Sequence, residues 1–553
     1  MPPARFVLQA SLKAKIWLRS LTTLALLAFT LPASLSAFAG AAPSYKEEKP
    51  QISARQAEEI FRQLDEILKF VSSDSKFPIE HPVKRKLSNR DQVEHNLNER
   101  LKNDKDAKRL ERSEVVLKKF GLIPRDFDLR DYFVKTMREQ VAGYYNIDDK
   151  TVYMMDWIPA EQQMPVMAHE LTHALQDQTV DLDKWLKGDQ DATIREQAVA
   201  TAKPEGGGKN GAGPGGAPVL NQGAAAPKGP EPKLDPDQEI RQDEEQTARQ
   251  AVVEGQGMVV MIDYLLKGSN QTAMTAPFIV EALKQSMREN KEYPMYANAP
   301  LYLRESLSFP YQYGLDFVRE LLVKGGKDMA YRGVLQKPPS TTRQVMEPRT
   351  YLNGEKLLPM RLPPMAPLLG KNYDRYDVGA VGEFDVMVLL QQFSGEKMAE
   401  KLYPDWRGGA YYAAKIQGPA TTSKPAENGK DGTRDVALLY LSRWATPEAA
   451  NRFAAEYGAA LLKRYKFAQS NVPDGAPDQY PDQGKAKIVA QPSPKHWLTD
   501  EGPVWIECRG NSVLALESFD PGTMEKISQQ VFASEAAMAS PPGPDDGVAT
   551  PAR

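Results

Sequence analysis

Three side chains in the pentapeptide His169-Glu170-Leu171-Thr172-His173 have the types and the spacing to do chemistry. On a helix, residues four apart stack one turn above each other, so His169 and His173 point one imidazole each at a common point. A zinc ion asks that geometry of two protein ligands. Glu170, beside the first histidine, reaches a zinc-activated water without being a ligand. It is placed to take that water's proton as it attacks a carbonyl. A lone histidine on a helix is more often packed or solvated. Here, however, the whole chain has five histidines, and two of them stand in this pattern around a glutamate.

The pattern needs a helix, and the local sequence predicts one. Met167, Leu171, Ala174 and Leu175 recur at helical period and form an apolar stripe. At about 100° per residue the histidines lie on another face, so the helix can pack with one side and bind with the other. Pro165 fits the first helical position, where its missing N–H costs nothing.

A third ligand is expected from the next long helix, which the periodicity places over 238–266. Glu254 falls there in an apolar run, where a carboxylate is costly unless something pairs with it. Two histidines and a glutamate, with the fourth position open, form a known catalytic zinc set. Asp263 is the alternative ligand, and a salt bridge from Glu254 to Arg249 is the plainer reading. Gly255 and Gly257 would let another helix approach closely. A hydrolase of this kind also needs a donor for the developing oxyanion. Tyr311 and Tyr313, in what reads as a short aromatic loop opening a helix, are candidates, as is Arg343. Asp177, one turn beyond His173, is a candidate for orienting an imidazole.

These motifs resemble the gluzincin branch of the zincin metallopeptidases. More narrowly, they are similar to a group of largely uncharacterised exported bacterial proteins regarded as zinc peptidases. The likeness is carried by Val141–Tyr145 (Val-Ala-Gly-Tyr-Tyr), Ala168–Gln178 (Ala-His-Glu-Leu-Thr-His-Ala-Leu-Gln-Asp-Gln) and the pair Glu254-Gly255. It continues through Phe309–Gly314 and Pro338–Thr342, and spans roughly residues 138–350. The resemblance implies a peptidase-like fold, one zinc ion on His169, His173 and Glu254, and Glu170 as general base. The Asn-Glu-x-x-Ser-Asp form of the third-ligand helix found in better-known gluzincins is absent, and a low-complexity insertion lengthens the connection to Glu254.

Composition limits the alternatives. The chain has 553 residues, enough for two to four domains, and 70 Lys+Arg balance 73 Asp+Glu, which gives no electrostatic case for nucleic acid. A single cysteine, Cys508, forbids an internal disulfide and reads as a buried thiol in a strand. His81 and His95 read as surface residues, and His496 as a structural residue in a Pro-flanked loop.

Residues 1–39 read as a signal peptide: basic Arg5 to Arg19, an apolar run from Leu21 to Leu31, and a small-x-small site at Ala37-Phe38-Ala39. Left uncleaved, this segment would tether the chain; no integral membrane domain is expected beyond it. Residues 40–130 read as a charged helical region with a surface helical pair over 89–119. Residues 131–376 read as the zincin-like domain, with a hairpin over 141–155 and a disordered insertion at about 191–236. A strand pair there offers an edge to an extended peptide. Residues 377–424 read as a helical connection and polar loop, 425–535 as a small domain of β–α–β–β–α order, and 536–553 as a disordered tail.

The expected fold class is therefore α+β and mostly helical: a zincin-like domain with a short sheet before the metal helix, plus a smaller C-terminal α+β domain. The expected function is an exported, periplasmic or extracellular, zinc metallopeptidase acting on a peptide or protein substrate. The alternatives are a catalytically silent zincin-like scaffold that binds peptides or cell-envelope partners, and a zinc amidohydrolase acting on a non-peptide amide. Oligomeric state is not legible.

Overall fold

A computed structural model describes residues 24–25, 52, 54–101, 104–188, 235–288, 293–417, 432–470 and 495–539. The expected low-complexity insertion, nearly all of the signal segment and the tail beyond 539 lie outside the described residues. The fold is mixed α+β and mostly helical, with two sheets.

The first sheet takes β1 (Leu24–Ala25), β2 (Lys84–Ser88), β3 (Gly143–Asn146) and β4 (Thr151–Met155) in the order β1-β3-β4-β2. β3 and β4 form the expected hairpin, and the Tyr144 and Tyr153 rings stack across it at 4.6 Å. β2 pairs parallel to β4, and β1 pairs antiparallel to β3 through Tyr144 and Gly143.

Seven helices matter to the architecture: α1 (Ala54–Ser75), α2 (Arg90–Leu101), α3 (Asp104–Phe120), α4 (Leu129–Gln140), α5 (Ala160–Val180), α6 (Pro236–Leu266) and α7 (Leu301–Asp328). α5 carries the His-Glu-His motif. It begins at Ala160, so Pro165 lies inside the helix rather than at its first position. The expected division into a packing face and a binding face also fails. From Val166 to Asp177 every residue of α5 is buried, because the hairpin covers one side while α1 and α6 cover others.

α6 has 31 residues, about 46 Å of helix, and joins the two halves of the molecule. Its first turns dock on the second sheet, where Asp243 accepts from the Ala380 N–H at 3.0 Å, and on the short helix Thr342–Met346, where Glu244 accepts from the Thr342 N–H at 2.9 Å. Its middle crosses α5 and α7.

The second sheet is antiparallel and seven-stranded: β5 (Tyr373–Ala380), β6 (Trp406–Ile416), β7 (Val436–Trp444), β8 (Ala468–Ser470), β9 (Lys495–Thr499), β10 (Gly502–Arg509) and β11 (Ser512–Glu517), in the order β5-β6-β7-β11-β10-β9-β8. Alternate residues face opposite ways. Leu439, Leu441, Leu514 and Leu516 meet a terminal helix over Pro521–Ala539, while Leu438, Tyr440, Val513 and Ala515 join the main core.

Three expectations fail here. Residues 377–424, expected to be helix and loop, contain half of β5 and all of β6 beside the helices Glu383–Ser394 and Glu396–Leu402, so the sheet begins well before 425. The expected surface pair is half buried: Val116, Leu117 and Phe120 of α3 enter the core, and the Phe120 ring meets Tyr440 at 5.5 Å. Lys119 is fully buried too, held by Glu501 and Ser518 at 2.8 Å each. The segment 309–313 is not a loop but the interior of α7, with Pro310 inside the helix.

Candidate metal centre

α5 brings His169, Glu170 and His173 together as a fully buried group able to hold a metal ion. The two imidazoles are edge to face, with ring centroids 4.5 Å apart. His169 Nε2 lies 2.9 Å from His173 Nε2. From α6, the Glu254 carboxylate enters between them: its Oε2 is 3.0 Å from His169 Nε2 and 3.3 Å from His173 Nε2. The other oxygen, Oε1, accepts from the Gln250 side chain one turn earlier.

Glu170 stands differently. Its Oε2 accepts from the Tyr145 N–H of β3 at 2.7 Å, while its Oε1 is buried with no partner among the described residues. Of the two glutamates, Glu254 therefore faces both histidine nitrogens, and Glu170 is tied to the sheet with one oxygen spare.

Charge is balanced within the cluster. Burial pushes the Glu170 carboxyl up to about 8, aided by the nearby Glu254. Burial also opposes charge on Glu254, but the two histidines outweigh it and hold its carboxyl down at about 2. For His173 burial works downward, and Glu254, Glu170 and Gln176 outweigh it to bring the imidazole up to about 9. His169 is pushed down by burial and by His173. Without a cation the set holds a proton on His173 against Glu254, and a metal ion would replace that proton.

Two glycines of α6 permit this approach, as their position beside Glu254 predicts. A Cβ on Gly255 would overlap the backbone carbonyl of Gly314 on α7. A Cβ on Gly257 would lie 2.7 Å from the His169 ring. The helices therefore close onto the site at distances only glycine allows.

The remaining candidates separate clearly. Tyr311 is fully buried with its ring centroid 6.1 Å from that of His169. Tyr313, two residues on and so about 200° around α7, faces away: its hydroxyl meets Met387 Sδ at 3.3 Å. Asp263 lies at the far end of α6, accepting from the Ala273 N–H at 2.6 Å, and is not at the histidines. Asp177 orients no imidazole. It accepts from the Tyr145 hydroxyl at 2.6 Å and from Lys150 and the Leu182 N–H. The contact to His173 Nδ1 comes instead from Gln176 Oε1 at 2.8 Å, a residue the sequence reading passes over. Its signal is the i+3 spacing from His173, which puts an amide on the same helical face. Arg343 is held by Glu355 and Glu383 at 2.8 and 2.9 Å and braces the fold. Arg249 meets the Trp185 carbonyl rather than Glu254.

His81 and His95 are exposed, and His496 lies on β9 with its ring 4.7 Å from Trp505. Cys508 is half-buried on β10, and burial pushes its thiol up to about 11, which makes it a poor nucleophile.

No family model matches the chain, and no curated protein or solved structure is detectably similar to it.

Proposed function

We propose that the chain is an exported zinc metallopeptidase of the zincin type, with His169, His173 and Glu254 as ligands and Glu170 as general base. The observation that carries the reading is the triangle of His169 Nε2, His173 Nε2 and Glu254 Oε2, with sides of 2.9, 3.0 and 3.3 Å. Tetrahedral ligands at zinc-bond lengths stand ~3.3 Å apart, so small shifts suffice to fit the ion. The donor set, two imidazoles and one carboxylate, suits zinc. The fully buried Glu170 Oε1, without a partner, supports a water beside the triangle.

A zinc ion bound there supplies Lewis acidity toward a carbonyl and lowers the pKa of a water. The chain's own residues do the rest. The Tyr145 N–H fixes the Glu170 carboxylate so that Oε1 takes the proton of the attacking water and returns it to the leaving amine. Tyr311, packed against His169, is the candidate donor to the oxyanion. The edge of β3 that pairs with Leu24–Ala25 supports an extended peptide binding by strand addition. Cleavage after Ala39 would remove that pair and free the edge for substrate. Export rests on the 1–39 pattern. No helix among the described residues is long and apolar enough to cross a membrane.

The zero exposure of all four side chains favours one other reading, a catalytically silent zincin-like scaffold. The metal claim is tested by the zinc content of the mature protein. About one zinc per chain is expected, lost in His169→Ala, His173→Ala and Glu254→Ala. Retention of the zinc in Glu254→Ala would assign the third ligand elsewhere.

A further inference from the structure

An imidazole and a glutamine amide in contact have two consistent hydrogen-bond assignments, and the choice between them decides which histidine nitrogen carries the proton. At His173 that choice is made by atoms beyond the pair. Gln176 Nε2 donates to the Val253 carbonyl at 3.1 Å and to Gln256 Oε1 at 2.7 Å. A backbone carbonyl only accepts, so the nitrogen of Gln176 faces α6 and its oxygen faces His173. Gln256 repeats the logic. Its Nε2 donates to the Ala330 carbonyl at 2.7 Å and the Tyr331 carbonyl at 3.1 Å. Both carbonyls belong to the π-helical turn Met329–Gly333 that follows α7. Its oxygen must then face Gln176. Both amides are fully buried, away from bulk solvent.

With Gln176 presenting an oxygen at 2.8 Å, His173 Nδ1 carries a proton, so Nε2, which faces His169 and Glu254, is the nitrogen left to bind a metal ion in place of its own proton. His169 has no such brace. Its Nδ1 meets no side-chain partner among the described residues and lies against the backbone of Gly257.

We propose that Gln176 and Gln256 are positioning residues: a relay of two amides, anchored on the carbonyls of Ala330 and Tyr331, holds His173 in the form that presents Nε2 to the metal. This rests on the metal reading above. The π-helical turn is thereby part of the site's support although none of its residues reaches the histidines. π-helical turns often mark such positions.

The test uses mature protein and zinc alone, with affinity measured by chelator competition and the His173 Nδ1–H followed by ¹⁵N-edited NMR of the zinc-loaded form. Gln176→Met should weaken zinc ~10–100-fold, the usual effect of losing an outer partner of a ligating histidine. Gln256→Met touches no ligand, yet it should also weaken zinc and broaden or shift the Nδ1–H signal. The double variant should be no weaker than Gln176→Met, because one relay is broken once. Gln163→Met is the matched control: Gln163 is a buried glutamine of α5 bonded to Met155 and the Ile158 carbonyl, away from the site. It should lower the melting temperature and leave zinc affinity unchanged. If wild type binds zinc and Gln256→Met binds it equally well with an unchanged Nδ1–H signal, the relay is overturned and the metal reading stands. If wild type takes up no zinc, the metal reading falls and the relay with it.

Discussion

Gly255 of α6 and Gly314 of α7 meet backbone to backbone: a Cβ on either would overlap a carbonyl of the other helix, that of Gly314 or that of Ala251. This contact sets how far α7 stands from Glu254, which precedes Gly255, and brings Tyr311 against His169. Gly255→Ala should therefore separate the helices. Overpacking of this kind costs roughly 1–3 kcal/mol, read as a lower midpoint in denaturant. Because Glu254 moves with the backbone, zinc uptake should fall as well. An unchanged midpoint would show that the crossing relaxes freely.

Gly257→Ala separates metal binding from stability. The added carbon would lie 2.7 Å from His169 Nδ1 and Cε1, atoms of a side chain rather than backbone. The ring must shift to make room, and its Nε2 shifts with it. Zinc affinity by chelator competition should fall at least 10-fold, the scale of disturbing a ligand's support, with a smaller loss of stability than in Gly255→Ala.

Asp263 gives a pH signature away from the metal. Burial and the neighbouring Asp74 push its carboxyl from 3.8 up to about 7, against the Ala273 N–H and Lys327. Lys327 pairs with Asp74 at 2.6 Å, and the nearby Tyr331 hydroxyl is pushed up by its burial and by the two carboxylates. Between pH 3.8 and about 7 the folded chain holds a proton that the unfolded chain has released. Its contribution is full below that window and is lost as pH rises through it. Denaturation of wild type against Asp263→Asn should show a difference that changes from pH 4 to 7 and is flat above. Parallel profiles would contradict this account of the pair.

Tyr311 and Tyr313 are expected to behave oppositely. Tyr311→Phe should lower kcat by ~10²–10³-fold, the loss seen when one oxyanion donor is removed, with zinc retained. Tyr313→Phe, whose hydroxyl meets only Met387 Sδ among the contacts described, should leave kcat unchanged. Peptide cleavage by the two variants, normalised to zinc content, distinguishes them.

What the sequence revealed follows from the range of each interaction. The His-Glu-His geometry is local to one helical turn, and Glu254 was visible as a carboxylate stranded in an apolar run. Lys119 reads as a surface residue because its partners, Glu501 and Ser518, lie nearly four hundred residues away. β5 and β6 are hidden by poor strand formers, Asp374 in β5 and Gly408-Gly409 in β6, whose pairing is supplied by the rest of the sheet. Pro310 read as a loop residue, but packing holds it inside α7. Gln176 carried no charge or metal-ligand signature, and its role depends on Gln256 and on the turn at Met329–Gly333.

The central claim is that Glu170 works beside a zinc ion rather than holding it, since its Oε2 is tied to the Tyr145 amide and its Oε1 meets no partner among the described residues. The most direct measurement pairs zinc content with cleavage of a peptide library, in mature wild type and Glu170→Gln. The account predicts about one zinc per chain in both, cleavage by wild type, and at least a ~10²-fold slower variant, the scale of losing a general base. Zinc in both proteins with no cleavage by wild type would contradict the peptidase reading and leave the silent scaffold. Loss of zinc from Glu170→Gln would make Glu170 a ligand and contradict the assignment of its role.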